Sequence, residues 1–346
     1  MPDTPPEPLS VDAGNPRPRS ATIKDVARLA GLSPITVSRV LNNPAAVRPE
    51  TIARVREAIA QTGYIPNLLA GSLVSGRSRL VAAIIPRLSN SMLVDFVQGL
   101  SDQLEARGYQ LLLGLSGYPV EQEEKLLPAI LSRRPDGVVL SGTDHSDETR
   151  QILQAAGIPI VETWDLTANP VDMVVGLSQE EVGAAMARFL LGKGRRRFGM
   201  IWACDKRARK RYDGAMAVLR AQGIELVPTV EVSKFPTMGL GRLGLSELLA
   251  GGEAFDAVMC SSDTLAQGVL TEAAARGISV PQQLAVMGFG DFDFSEHTMP
   301  PLSTIRVDKR RIGVLAANAL LARMDGGQPA QRVIDVGFEI VERGTT

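Results

Sequence analysis

The sequence predicts an α/β protein: an all-helical N-terminal domain followed by a larger body of parallel sheets covered by helices. Residues 21–66 carry helical apolar periodicity with no strand-like run. From Leu80 onward, short apolar runs alternate with amphipathic segments, the pattern of strands joined by helical crossovers and buried on both faces. The length of 346 residues allows two or three domains at roughly 100–200 residues each.

Residues 1–20 are Pro-rich and polar without an apolar stretch, so disorder is expected, and neither a signal peptide nor a membrane span. The segment TIKDVARLAGLSPITVSRVLNNP (22–44) reads as two short helices around a glycine. Thr22 with Asp25 forms a capping box, and Ile23, Val26, Ala27 and Ala30 make a buried stripe. Gly31 supplies the left-handed residue that ends the first helix, and Ser33 caps the second, with Pro34 in its first turn. Val37, Val40 and Leu41 face the first helix, which leaves Pro34, Ile35, Thr36, Ser38, Arg39 and Asn42 on or near the outer face. A third helix, Pro49 to Gly63, closes this core with Ile52, Val55 and Ile59. Residues 67–78 read as a linker that is too short for a stable isolated helix, and Gly71 disfavours helix by about 1 kcal/mol relative to Ala.

From residue 79 to 346 the alternation is regular. LVAAIIP, YQLLLGL, DGVVLSG, IPIVET, RRFGMIWA, DAVMCSSD and LAVMGFG read as strands, with helical runs between them. About two sheets fit this length, and the default ligand site is a cleft at the carboxyl ends of the strands.

Two helices around a glycine turn form a helix-turn-helix, whose second helix enters the DNA major groove. Arg39 can donate to guanine O6 and N7, and Ile35 can touch a thymine methyl. Thr22, Ser33, Thr36 and Ser38 are placed to hold phosphates and fix register. The plainer reading of the same pattern is a helical hairpin with an exposed arginine. Charge supports DNA: from Arg17 to Arg79 there are ten basic and three acidic residues, in a chain of net charge -1. Two cysteines, Cys204 and Cys260, and two distant histidines, His145 and His297, give no disulfide framework and no clustered metal motif, and fit a reducing cytoplasm. No cofactor is expected. The chain carries no P-loop, no GxGxxG after a first strand and no GxSxG, so an enzyme is not expected.

Residues 21–76 resemble the DNA-binding headpiece and hinge of the lactose-repressor family, on DVARLAGLSPITVSRVLN, VRPETIARVREAIAQTGYIPN, Ala70 and Leu73. The similarity continues through RPDGVVLSG, AGIPIVE, ARKRYDGAM, CSSDTLAQGVL, GISVPQQLAVMGF and MPPLSTIRVD, almost the whole chain after residue 20. DVGFEIVERG and VVGLSQEE look most like the gluconate-operon repressors of that family.

The resemblance implies a core like a periplasmic sugar-binding protein, with one lobe of about 79–178 and 308–338 and another of about 179–307 and 339–346. It implies a pseudo-palindromic operator and a hinge, bearing Asn67 and Ala70, whose Leu73 wedges into the minor groove. A homodimer is expected, because no heptad tail follows the last strand, RVIDVGFEIVERG. Arg211, in the KRARKR cluster, matches the family's effector arginine. Asp263 matches an aspartate that bonds sugar hydroxyls and also reads as a helix N-cap. Asn90 and Met92 open a first-lobe helix that can face an anion, and Leu93 matches a position often aromatic in relatives. Phe235 is placed to stack on the ligand. Glu162 and Trp164 follow strand IPIV and can line the cleft, although a core tryptophan is the plainer reading. Where many relatives carry a cleft aspartate this chain has Gly290, with Asp291 next. Loss of that carboxylate, with the cations at 206–211, favours an anionic effector such as gluconate or its phosphorylated form. A neutral sugar or nucleobase is the alternative, as is an activator in place of a repressor. A periplasmic binding protein would leave residues 22–63 without a use.

Overall fold

The computed structural model describes residues 21–65, 77–88, 92–233, 235–327 and 331–346, except the side chains of Asn42 and Val120. The expected disorder at 1–20, most of the 67–78 linker with Asn67, Ala70 and Leu73, and Asn90 lie outside the described residues. The chain divides into two units, residues 1–78 and 79–346.

The first unit contains α1 (Ile23–Ala30), α2 (Pro34–Asn42) and α3 (Pro49–Thr62). The capping box forms: Thr22 N and Oγ1 donate to Asp25 Oδ2 at 3.0 and 2.7 Å. Gly31 sits at φ 64, and Ser33 Oγ accepts from Thr36 N at 3.2 Å. Val26, Ala27, Ala30, Val37, Val40, Val55 and Ala58 make the core, with Ile52 and Ile59 packed at its edge. Arg54 reaches back to donate to the Ala30 carbonyl at 2.5 Å, satisfying one of the orphan acceptors at the end of α1.

The second unit opens with β1 (Leu80–Ile85), α4 (Met92–Glu105), β2 (Gln110–Leu115), α5 (Val120–Leu131), β3 (Gly137–Ser141), α6 (Asp147–Ala156), β4 (Ile160–Thr163) and β5 (Met173–Gly176). It continues with α7 (Gln179–Gly192), β6 (Phe198–Ala203), α8 (Lys206–Ala221), β7 (Thr229–Val232), α9 (Met238–Ala250), β8 (Ala257–Cys260), α10 (Asp263–Ala275), β9 (Ala285–Phe289) and β10 (Ser303–Arg306). Then come α11 (Lys309–Met324), β11 (Val333–Asp335) and β12 (Glu339–Val341). One sheet has the order β11-β5-β4-β3-β1-β2 and is parallel throughout. The other has the order β12-β10-β9-β8-β6-β7 and is parallel except for β12 against β10. Each sheet is the centre of a lobe. Helix α11 returns to pack on α4 and on β3, β4 and β5. The run RVIDVGFEIVERG, expected as one last strand, is two strands in different sheets, broken at Gly337 with φ 67. The chain therefore crosses between lobes three times: before α7, before α11 and between β11 and β12.

Helices α7 and α8 meet at backbone distance. A Cβ on Gly183 would overlap the Arg211 carbonyl oxygen, and one on Gly214 would overlap that of Glu180. Two reciprocal glycines thus bring together the helices that carry Gln179 and Arg211.

Glu162, expected in the cleft, faces the opposite side of its sheet. Side chains alternate along a strand, and Glu162 shares its face with Ile160 and Leu140, toward α5 and α6. There it lies 3.4 Å from His145 Nε2 and 3.7 Å from Arg150, and accepts from Val171 N at 2.6 Å. His145 Nδ1 meets Glu123 Oε1 at 2.6 Å. Burial pulls the His145 pKa down, but Glu123 and Glu162 outweigh it and hold the imidazole up at about 9. The cluster is a buried charge network of the first lobe.

Two outcomes are expected. His145 stabilises the fold fully below its unfolded value of about 6.5 and loses that contribution as pH rises through about 9. In urea unfolding, the stability gap between wild type and His145→Gln should be largest near pH 6 and close toward pH 10; a gap independent of pH would contradict the charged assignment. Gly183→Ala should cost about 2 kcal/mol or more by overpacking. Gly192→Ala, where an added Cβ meets nothing within 4 Å, should not destabilise.

Candidate functional site

On the first unit, α2 presents Ile35, 73% exposed, with Pro34 and Arg39 also exposed and Thr36 and Ser38 half-buried beside them. The Ser33 and Thr36 hydroxyls lie 2.9 Å apart, so the N-terminal turn is closed on itself. Val37 and Val40 are turned into the core, which fixes which side of α2 faces outward. The expected recognition face is therefore an outward helix surface of one apolar anchor, one arginine and short hydroxyl side chains.

In the second unit a cavity of about 450 Å³ lies between the lobes, within the size range of small-molecule sites. The first lobe contributes Arg87, Met92, Leu93, Tyr118 and Trp164. The second contributes Arg207, Arg211, Phe235, Phe289 and Phe292, and Gln179 stands at the crossover. Three arginines line the space, and Asp205 is the sole acidic residue among the described lining residues. One Asp205 oxygen is committed to capping α8 through Ala208 N, at 3.0 Å.

Arg211 is 5% exposed. Its Nη1 donates to Gln179 Oε1 at 2.5 Å and its Nη2 to the Ser261 carbonyl at 3.3 Å. The guanidinium lies 4.1 Å above the Phe289 ring. Its Nε is buried without a hydrogen-bond partner among the described residues. Burial pulls the guanidinium down to about 10; Arg207 adds to the pull, while Asp205 and Asp165 oppose it. Across the cleft, Phe235 stacks 4.3 Å from the Arg87 guanidinium and edge-on to Tyr118 at 4.8 Å. Lys210 Nζ reaches Asp165 at 2.5 Å, and Lys206 pairs with Asp144. Both pairs bridge the lobes.

The structure brings Met92, Leu93, Trp164, Arg211 and Phe235 together around this cavity. Glu162, Asp263 and Asp291 are not among its described lining. Ser262, not Asp263, caps α10, its Oγ accepting from Leu265 N at 3.3 Å. The Asp263 carboxylate instead accepts from Thr304 Oγ1 at 2.6 Å, Ser295 Oγ at 2.7 Å and Phe292 N at 3.0 Å. Gly288 makes this possible, since a Cβ there would overlap Asp263 Oδ1. Burial pushes the Asp263 carboxyl up against those hydrogen bonds. It thereby anchors the backbone of Phe292, whose ring walls the cavity. Asp291 is drawn off by Arg306 at 2.6 Å and Arg343 at 2.8 Å.

Sequence reasoning missed Arg87, Tyr118, Gln179, Phe289 and Phe292, and took Arg207 only as one of the cation run. Arg207 was legible in principle: it lies four residues before Arg211, one helical turn away. The cation run itself forms the first turns of α8, where the helix dipole disfavours positive charge.

Residues 22–67 match the family model for bacterial regulatory proteins of the lacI family, and residues 187–346 match the periplasmic binding protein-like domain. The chain is similar to the HTH-type transcriptional regulator GntR of Pseudomonas aeruginosa, 37% identical over 328 residues, 94% of this chain and 95% of that protein. The structure resembles a LacI-family transcriptional regulator from Silicibacter pomeroyi, with TM-score 0.88, 35% identity, and coverage of 94% and 99%. It also resembles the transcription regulator GntR from Chromobacterium violaceum, with TM-score 0.74, 39% identity, and coverage of 77% and 98%. With a helix-turn-helix at its N-terminus and an effector-binding core behind it, the chain belongs to the lacI family of bacterial regulatory proteins.

Proposed function

We propose that this regulator is a cytoplasmic repressor whose operator affinity is set by a sugar acid, gluconate or its phosphorylated form, held between the lobes. The observation that carries the reading is Arg211: a buried cation whose Nε has no partner among the described residues, in a cavity whose described lining holds three arginines and one aspartate. An uncompensated buried charge is costly, and a carboxylate or phosphate brought beside it offsets that cost. Met92, Leu93, Trp164, Arg211 and Phe235 contact the effector in this reading. The aromatic walls suit a carbon chain. Asp263 and Asp291 act behind the cavity wall rather than on the ligand.

On DNA, Ile35 and Arg39 read base edges, and Thr22, Ser33, Thr36 and Ser38 hold phosphates. Two copies form a homodimer that binds a two-fold operator. The segment 67–78 couples the two units: effector binding changes the separation of the paired hinges and so changes operator affinity.

The test is isothermal calorimetry with gluconate, 6-phosphogluconate and glucose, alongside fluorescence anisotropy on an operator duplex selected from a random library. A sugar acid should bind and shift operator affinity; binding of glucose alone would reject the anionic reading. Arg211→Ala should remove the response to the acid while leaving operator binding intact. Arg39→Ala should weaken operator binding by roughly 1–3 kcal/mol and relax selectivity at one base pair. An unchanged preference in a repeated selection would reject its role.

A further inference from the structure

All six strands of the first-lobe sheet run parallel, so all of them begin at one edge. The four residues before each strand line that edge. Among them are Arg77, Arg79, Arg107, Arg133, Arg134 and Arg332. The only acids in the same positions are Asp136 and Asp172. Six arginines thus stand against two aspartates, an excess of four positive charges. Both aspartates are committed to backbone: Asp136 accepts from Arg79 N at 2.9 Å and Asp172 from Ile160 N at 3.2 Å. All of these arginines are exposed except Arg77, which is half-buried. Arg107 pairs with Asp325 at 2.7 Å, but Arg133 and Arg134 make no ion pair among the described residues.

Helix C-termini lie at the same edge, and their dipoles favour nearby cations. The dipoles alone do not account for the excess, because the second lobe is built the same way. Before its five parallel strands, the equivalent positions hold Arg195, Arg196 and Arg197 against Glu225, Glu253 and Asp256, a balance of zero. Those arginines are also engaged. Arg195 donates to the Pro281 carbonyl at 2.5 Å, Arg196 to that of Leu191 at 2.8 Å, and Arg197 lies 3.7 Å from Asp256.

Two of the first-lobe arginines stand where glycine is the unstrained choice. Arg79 has φ 57 and Arg134 φ 51, both in the left-handed region. In other turns of the same edge Gly108 and Gly157 take up that conformation, at φ 74 and 64. A long cationic side chain kept at a strained position points to a use for it. The edge also receives the connection from the helix-turn-helix unit. Residues 77–79 lead into β1, and the stretch 66–76 before them spans at most about 40 Å. DNA held by α2 is thereby tethered to this edge.

We propose that the strand-start edge of the first lobe is a second DNA surface, on which Arg133 and Arg134 hold phosphates without reading bases. The duplex is the one bound through α2. Guanidinium forks match phosphate oxygens, and each phosphate neutralised in this way releases a condensed counterion. The inference rests on DNA binding by the helix-turn-helix and is independent of the effector's identity. It gives the lobe that walls the cavity a hold on DNA of its own, in addition to the covalent linker.

The test measures Kd by fluorescence anisotropy for the full chain on two duplexes of equal length, the selected operator and a scrambled sequence. KCl is varied over roughly 50 to 200 mM. Arg133→Gln/Arg134→Gln should weaken binding to both duplexes by a similar factor, about fivefold or more, and flatten the slope of log Kd against log [KCl] by about 1 or more. Arg196→Gln/Arg197→Gln, the same charge change at the equivalent edge of the second lobe, should alter neither. Arg134→Gly should weaken binding without lowering the melting temperature, because it removes the strain together with the charge. If the Arg133/Arg134 pair variant keeps the wild-type Kd and slope, the proposal falls and the edge serves an acidic protein or solvent alone. If the second-lobe pair weakens binding equally, the effect belongs to overall charge and the edge is rejected. A loss confined to the operator puts the arginines in base recognition and overturns the phosphate assignment. The ratio of scrambled to operator Kd reports α2 separately, so a failure of the edge is distinguishable from a failure of the recognition helix.

Discussion

Where α7 crosses α8, Gly183 lies against the carbonyl of Arg211 and Gly214 against that of Glu180. This contact sets how closely Gln179 and the charge of Arg211 approach one another. Gln179 begins the turn that leads to Gly183, and Arg211 is itself part of the crossing. With the two backbones in contact, the Gln179 amide reaches both Arg211 and Trp164; a side chain in the crossing would force them apart. The core packing of one lobe is thus the ruler for the chemistry between two.

The charges around that crossing conflict with one another locally and are reconciled across the cleft. Lys206, Arg207, Arg209, Lys210 and Arg211 occupy the positive end of the α8 dipole. Asp205 caps the helix, and Lys206 and Lys210 are met by Asp144 and Asp165 of the other lobe. Those pairs draw the lobes together around a space that still holds a surplus of positive charge. In the proposed reading, a ligand that brings negative charge into that space offsets this surplus and so favours the arrangement that holds it. A differential of that kind between two arrangements is what a switch requires.

Most of the fold was legible because its signals are local. The capping box at Thr22, the left-handed Gly31 and the Ser33 cap each act within one turn, and each formed. The strand and helix alternation holds because each sheet is parallel apart from the antiparallel edge strand β12, and its central strands are buried on both faces. The site was read less completely. Met92, Leu93, Trp164, Arg211 and Phe235 reach the cavity, but Glu162 is off by the parity of a strand, and Trp164 escapes that parity only through a positive φ. Asp263 was misplaced because a missing Cβ at Gly288, distant in sequence, lets its carboxylate turn inward. Arg87, Tyr118 and Gln179 come from separate elements, and no spacing within the chain announces their convergence. Longer-range geometry of that sort has no sequence signature in a single chain.

The chain has two thiols, and they are not equivalent. Cys260 is buried, and burial together with Asp263 pushes its thiol well above the ordinary range. Cys204 is exposed and immediately precedes Asp205 on the cavity wall. Thiol chemistry needs an accessible thiolate, so a maleimide fluorophore attaches at one position and spares the other. The native sequence thus already provides a single labelling point beside the cleft, suited to an optical reporter of cleft occupancy without any engineered cysteine.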